Sequence, residues 1–148
     1  MNEAAVRANK AALQAMAAGD LRGARGLLEG ALAHGQGGLP LWMNLAIVRR
    51  QLQDYEGSFA ALREALALDN RNFAALLMQA SLLDRLGRTK EAATAYGIAL
   101  VQAPQDAELD AATLAAVRRA REVHAQHVGE LGRHVREHLG AARDALSG

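Results

Sequence analysis

The chain has 148 residues, of which 51% are hydrophobic and only 3% aromatic, so Ala and Leu must fill whatever core it builds. Its 17 Lys and Arg against 16 Asp and Glu leave a net charge of +1, which gives no clustered basic footprint for nucleic acid, and the lack of Cys excludes disulfides and thiol chemistry. The N-terminus lacks a basic segment followed by an apolar one, and no apolar run approaches the ~20 residues of a membrane span, so the expectation is a soluble, cytoplasmic protein with no membrane partner.

A spacing of 34 residues organises the chain. Ala24, Ser58 and Ala92 are 34 apart, and each opens a stretch ending in Ala-Leu: Ala31-Leu32, Ala65-Leu66 and Ala99-Leu100. A fixed period of this length marks stacked helix-turn-helix units, none of which buries its apolar face alone. The first unit takes about residues 5–38, with helices over Glu3 to Ala18 and Leu21 to Ala33. Gly19-Asp20 forms its turn, with Asp20 placed to cap the second helix. The run Gly35-Gln36-Gly37-Gly38 ends the unit.

The second unit takes about residues 39–72. Pro40 suits a first helical turn, Gln53-Asp54 turns the chain, and Phe59, Leu62, Ala65 and Leu66 make one apolar face. The third takes about residues 73–106. Leu76, Leu83 and Leu86 line its first helix and Gly87-Arg88 its turn. Ala92, Ala95, Tyr96, Ala99 and Leu100 line its second, and Pro104 closes it. Trp42, Phe59, Phe73 and Tyr96 are expected to pack in or near the core.

After Pro104 no fourth unit forms. Residues 107–148 predict one long helix or two with a break, beginning as an end-cap through Leu109, Leu114 and Val117. Val128, Leu131, Val135, Leu139, Ala142 and Leu146 recur at near-heptad spacing, beyond what three units would cover. Gly129, Gly132 and Gly140 each weaken that helix by up to ~1 kcal/mol, so Val128, Leu131, Val135 and Leu139 call for a partner. Folding back onto the repeats, docking on a further domain, or pairing with a second copy would each supply one; a homodimer is the simplest in solution. His124, His127, His134 and His138 share one side of this helix. The candidate metal pairs are His124/His127 and His134/His138, but one helix face offers an ion only two ligands. No metal site and no cofactor is therefore expected. No Gly-rich phosphate loop or matched nucleophile and base occurs, so the chain itself is expected not to be an enzyme.

These units resemble tetratricopeptide repeats. The second offers Trp42, Leu45, Ala46, Ser58, Leu62 and Ala65 at the family's positions. The third offers Ala80, Leu83, Ala92, Tyr96, Ala99 and Pro104. In the first, Ala12, Ala24, Leu28 and Ala31 fit, while Ala8 and Ala15 replace aromatic residues. The resemblance implies an all-α, helical-hairpin solenoid of three repeats over residues 1–106, with a long C-terminal capping helix or helix pair. It also implies that the first helix of each unit lines a concave groove. Groove positions are then Val6, Asn9, Leu13 and Met16; Met43, Asn44, Ile47 and Arg50; and Ala74, Leu77, Met78 and Ser81. The family's two-carboxylate clamp for acidic chaperone tails needs Lys, Asn, Asn, Lys and Arg. Here only Asn44 matches, with Asn9, Leu13, Ala74 and Met78 at the other places. What remains is an apolar groove with adaptable methionines, suited to an apolar or amphipathic peptide or helix, unless a segment of the chain itself fills it.

A second resemblance rests on Gly19-Asp20, Pro40-Leu41-Trp42, Ala65 to Asp69, Arg71-Asn72, Ala75 to Leu77, Gly87-Arg88 with Glu91 to Ala93, and the His-bearing tail. These are similar to the repeat region ahead of the catalytic domain in bacterial aspartyl/asparaginyl β-hydroxylase-like oxygenases. That likeness implies an accessory domain, positioning substrate or mediating dimerisation for a catalytic half that lies outside this sequence. The two functional expectations are thus a protein-interaction module and an accessory domain of an enzyme.

Overall fold

The computed structural model describes residues 1–147. Among them the only regular structure is helical: α1 (Glu3–Ala17), α2 (Leu21–Ala33), α3 (Leu39–Gln51), α4 (Tyr55–Leu68), α5 (Phe73–Arg85), α6 (Thr89–Val101), a short 3-10 turn (Asp106–Glu108) and α7 (Ala111–Ser147). Three helix pairs and one long helix follow each other, the all-α arrangement that the repeat spacing predicts. The chain divides into two compact units, Met1–Ala75 and the residues from Leu76 onward, with α5 crossing the boundary.

The 34-residue period reappears as packing. Ala12, Ala46 and Ala80 stand one period apart and are all buried; so are Ala24, Ser58 and Ala92, then Leu28, Leu62 and Tyr96, then Ala31, Ala65 and Ala99. Small residues at three of these four positions let paired helices approach closely. Ser58 shows how closely: its hydroxyl donates to the Ala46 carbonyl across α3 and α4 at 2.7 Å. A buried hydroxyl with that bond carries no desolvation penalty, so Ser serves where the other two units have Ala.

The turns keep the same register. Gly19, Gln53 and Gly87 are one period apart and all adopt positive φ, at 81°, 64° and 76°. The next residue's N–H in each case returns to a carbonyl five residues back: Asp20 to Ala15, Asp54 to Arg49, Arg88 to Leu83. This is the helix-ending motif that favours glycine at its left-handed position. Asp20 and Asp54 then cap α2 and α4 by accepting from the Gly23 and Gly57 N–H groups at 2.9 Å. Arg88 has no such acceptor and pairs instead with Glu91. Two caps have no counterpart in the sequence-based expectations: Asn2 accepts from Ala5 N–H and Asn72 from Ala75 N–H.

In the second unit Leu86 falls outside α5 and is exposed, while Ala80 and Leu82 are buried in α5. Tyr96 is 2% exposed, whereas Trp42, Phe59 and Phe73 are half-buried. The tail is a single helix of 37 residues, about 55 Å long. Gly129, Gly132 and Gly140 do not break it, because a modest propensity penalty is spread among good helix formers. Asp110 caps it through Thr113 N–H at 2.7 Å. α7 packs on α6 and buries Val117, Ala120 and Val123, while Leu109 and Leu114 are only half-buried.

Gln53 holds the left-handed conformation that glycine holds in the sister turns. Gln53→Gly is expected to raise stability by about 1 kcal/mol, read by urea denaturation; an unchanged or lower midpoint would refute a strained turn. Ala65→Arg and Ala92→Arg each force a long cation into a fully buried site. Each is expected to lower stability by more than about 3 kcal/mol in the same assay.

Candidate functional site

In the first unit one face of α1 remains open. Val6, Asn9, Lys10, Leu13, Gln14 and Ala17, with Met1, line a depression of about 450 Å³. These residues recur at three and four, so they share one side of the helix. The opposite side is occupied: Ala5 and Ala12 are buried. Val6 and Leu13 are left about half exposed.

One residue of this lining, Asn9, is tied to α3 by a specific bond. Asn44 Nδ2 donates to Asn9 Oδ1 at 2.7 Å. The structure thus brings together two of the sequence-predicted groove residues, one from each helix. Met43, Ile47 and Arg50 on α3, and Met16 on α1, are half-buried. A primary amide has two N–H donors and an acceptor with two lone pairs. The shared bond uses one of each, so the pair still presents N–H from Asn9 and a carbonyl from Asn44. A peptide group offers the complement of both. Glu3 is the only acidic residue on α1 and α3, against Arg7, Lys10, Arg49 and Arg50. Arg49 is committed elsewhere: it donates to the Gly57 carbonyl at 2.9 Å and pairs with Glu29.

In the second unit the expected groove positions separate. Leu77 is 7% exposed and belongs to the core, because Ala75, Leu76 and Leu77 follow one another into the interior near the start of α5. Ser81 is tied up by donating to the Tyr96 hydroxyl. Met78 is half-buried and Ala74 exposed.

Ser81 opens a network that the sequence did not reveal. Tyr96 O–H donates to Asp84 at 2.9 Å, and Arg119 of α7 reaches the same carboxylate at 3.0 and 3.2 Å. The Arg119 hydrogen bonds, helped by Tyr96, hold the Asp84 carboxyl below the usual aspartate range despite partial burial. Burial raises the Tyr96 phenol, with Asp84 adding to the rise against an opposing bond from Ser81. Two more carboxyls beside α7 are lowered: Asp106 by its Arg121 pair at 2.7 Å, and Asp110 by the Thr113 N–H.

The tail histidines do not form a cluster. His124 Nδ1 lies 3.2 Å from the Ala93 carbonyl, and its ring covers Gly97, where a Cβ would sit 2.6 Å from the imidazole. His134 and His138 stack at 5.9 Å. Among the described residues no three His, Cys, Asp or Glu side chains converge as for a metal. No described helix is long and apolar enough to cross a membrane.

No protein-family model matches the sequence, and no curated protein matches it. Solved structures do. The chain is similar to the Hsp90 co-chaperone Cns1 from Saccharomyces cerevisiae, with a TM-score of 0.68 and 18% identity over 97% of this chain and 46% of that one. It is also similar to MamA from AMB-1, with a TM-score of 0.63 and 22% identity over 84% of this chain and 68% of that one. The protein thus has a tetratricopeptide-like helical-repeat fold, and it spans just under half the length of the Cns1 chain it matches.

The electrostatics predict an order of loss in acid. The lowered carboxyls contribute stability that is present above the unfolded aspartate value and is lost as pH falls through their folded values. All three hold α7 or its entry. Acidification below about pH 4 is therefore expected to release the docked part of α7, residues 111–124, before α1 to α4 open. Amide exchange followed by NMR checks this. Loss of protection in α1 to α4 first would overturn it.

Proposed function

We propose that the α1–α3 face is a peptide-docking surface and that the protein works as a non-catalytic interaction module. The observation that carries this is the open, largely apolar depression along α1, with Asn9 in its lining bonded to Asn44 of α3. Val6, Leu13 and Met43 receive apolar side chains, the two amides hold one peptide group of the guest, and Lys10 and Arg50 favour a guest with a carboxylate. An apolar or amphipathic segment of a partner protein fits that description. Met78 offers an apolar contact of the same kind on α5.

The similarity to an Hsp90 co-chaperone supports a role in holding protein segments. It does not carry over the carboxylate clamp. Asn9, Leu13, Ala74 and Met78 occupy four of that clamp's five places, and Asn44 is already bonded to Asn9. The chemistry that recognises an acidic chaperone tail through several cations is therefore replaced by an apolar surface with flanking charge. The accessory-domain alternative gains no support from the fold, which both readings share.

Selection from a displayed random-peptide library tests the reading. Wild-type protein is expected to enrich peptides with apolar residues beside an Asp or Glu. The double variant Val6→Glu with Leu13→Glu is expected to lose them while keeping wild-type circular dichroism and denaturation midpoint. Both positions lie at the surface, so the substitutions change what the face attracts rather than how it folds. Enrichment that is identical for both proteins would place the site elsewhere.

A further inference from the structure

α7 meets α6 only along its first half. Val117, Ala120 and Val123 are buried there, and the His124 ring fits the space left by Gly97. From Val128 the same helix runs on uncovered: Val128, Leu131, Val135, Leu139 and Leu146 are between 51% and 89% exposed. At about 100° per residue these five fall within ~80° of one another, and Val117 and His124 fall in the same sector. Ala120 and Val123 lie further round on the histidine side, so the stripe overlaps the face packed on α6 at Val117 and His124 and turns from it toward the arginine edge. Its spacing, completed by Ala142, averages close to 3.6 residues, the period of a straight helix rather than the 3.5 of a supercoil.

The charges are sorted around this stripe. Arg136 and Arg143 border one edge, and His127, His134 and His138 border the other. Glu130, Glu137 and Asp144 lie on the opposite side of the helix, with Arg133 among them. We propose that residues 128–146 form a second docking surface, for an amphipathic helix of a partner protein whose apolar seam is edged by carboxylates. Such a helix extends the packing that α6 begins and meets cationic or protonatable groups on both sides.

A second copy of this chain is a poorer occupant. A parallel pair sets the arginine edge against the histidine edge; an antiparallel pair sets arginine against arginine. Neither brings a carboxylate to the seam, so a second copy gains no ion pair along the edges in either orientation. A lipid surface fits less well again, because the stripe is narrow and has no aromatic residue.

The test uses the full chain and two synthetic helical peptides with the same leucine seam, one edged with Glu and one with Lys. Fluorescence anisotropy is expected to show saturable binding of the Glu-edged peptide and binding at least about tenfold weaker for the Lys-edged one. Leu131→Gln with Val135→Gln is expected to abolish binding without altering the circular dichroism. Arg136→Glu with Arg143→Glu is expected to invert the preference between the peptides, which adventitious apolar adhesion would not do. Equal binding of both peptides, or none, overturns the proposal. A wild-type dimer in sedimentation velocity that the Leu131→Gln, Val135→Gln variant lacks would assign the stripe to a second copy. Co-sedimentation with phosphatidylglycerol vesicles, without peptide preference, would assign it to a lipid surface.

Discussion

The close approach of the two helices in each pair is the constraint that shapes the remainder of the molecule. It is seen directly where the Ser58 hydroxyl meets the Ala46 carbonyl, and the residues at the equivalent places, Ala12 and Ala24, Ala80 and Ala92, are all fully buried. Where a side chain reduces to a methyl or a hydroxyl, dispersion contacts between backbones replace those between long side chains. That is how a chain with 3% aromatic residues still packs a core. It also fixes the register: the same three pairs recur every 34 residues, so the turns at Gly19, Gln53 and Gly87 must recur with them. Gln53 adopts the left-handed conformation because the packing on either side demands it, not because glutamine favours it.

Burying one side of each helix against its pair leaves the other side free for use. On α1, Ala5 and Ala12 face inward, and the residues between them by helical phase form the open face. Its chemistry is set by what is missing as much as by what is present. Position 9, where the clamp would have Lys, holds Asn, and that amide accepts from Asn44. The bond ties α1 to α3 and leaves the Asn9 N–H groups and the Asn44 carbonyl outside it. An apolar surface with a single peptide-sized polar feature discriminates by shape and by backbone more than by charge.

Most of the fold was legible because it depends on spacing. Ala24, Ser58 and Ala92 give the period without reference to any one residue's chemistry, and the Asp20 and Asp54 caps follow from their place after a turn. The site was legible in part. Asn9, Leu13, Met43 and Asn44 follow from the repeat register, yet the bond between Asn9 and Asn44 joins residues 35 apart and has no local signature. Leu77 and Ser81 were misplaced for a related reason. Register predicts which face a residue occupies, but the depth of burial depends on neighbours from other helices, and Ser81 is bound by a tyrosine one helix away. The Asp84–Arg119 tie, again 35 residues apart, was invisible for the same cause.

α7 carries both kinds of information within one helix. Its first half is held by what α6 presents: the gap at Gly97 accepts His124, and Arg119 crosses to Asp84. A methyl group at position 97 would meet the imidazole, so the glycine's helix-propensity penalty is offset by a contact that no other residue there permits. The second half repeats the apolar pattern of the first but has no α6 beside it. Pattern alone therefore called for a covered stripe, whereas the structure leaves it bare. Because every carboxylate of 128–146 lies on the back of the helix, the bare half is edged by arginine and histidine alone, and it is this sorting of charge about an apolar stripe that underlies the docking surface proposed for it.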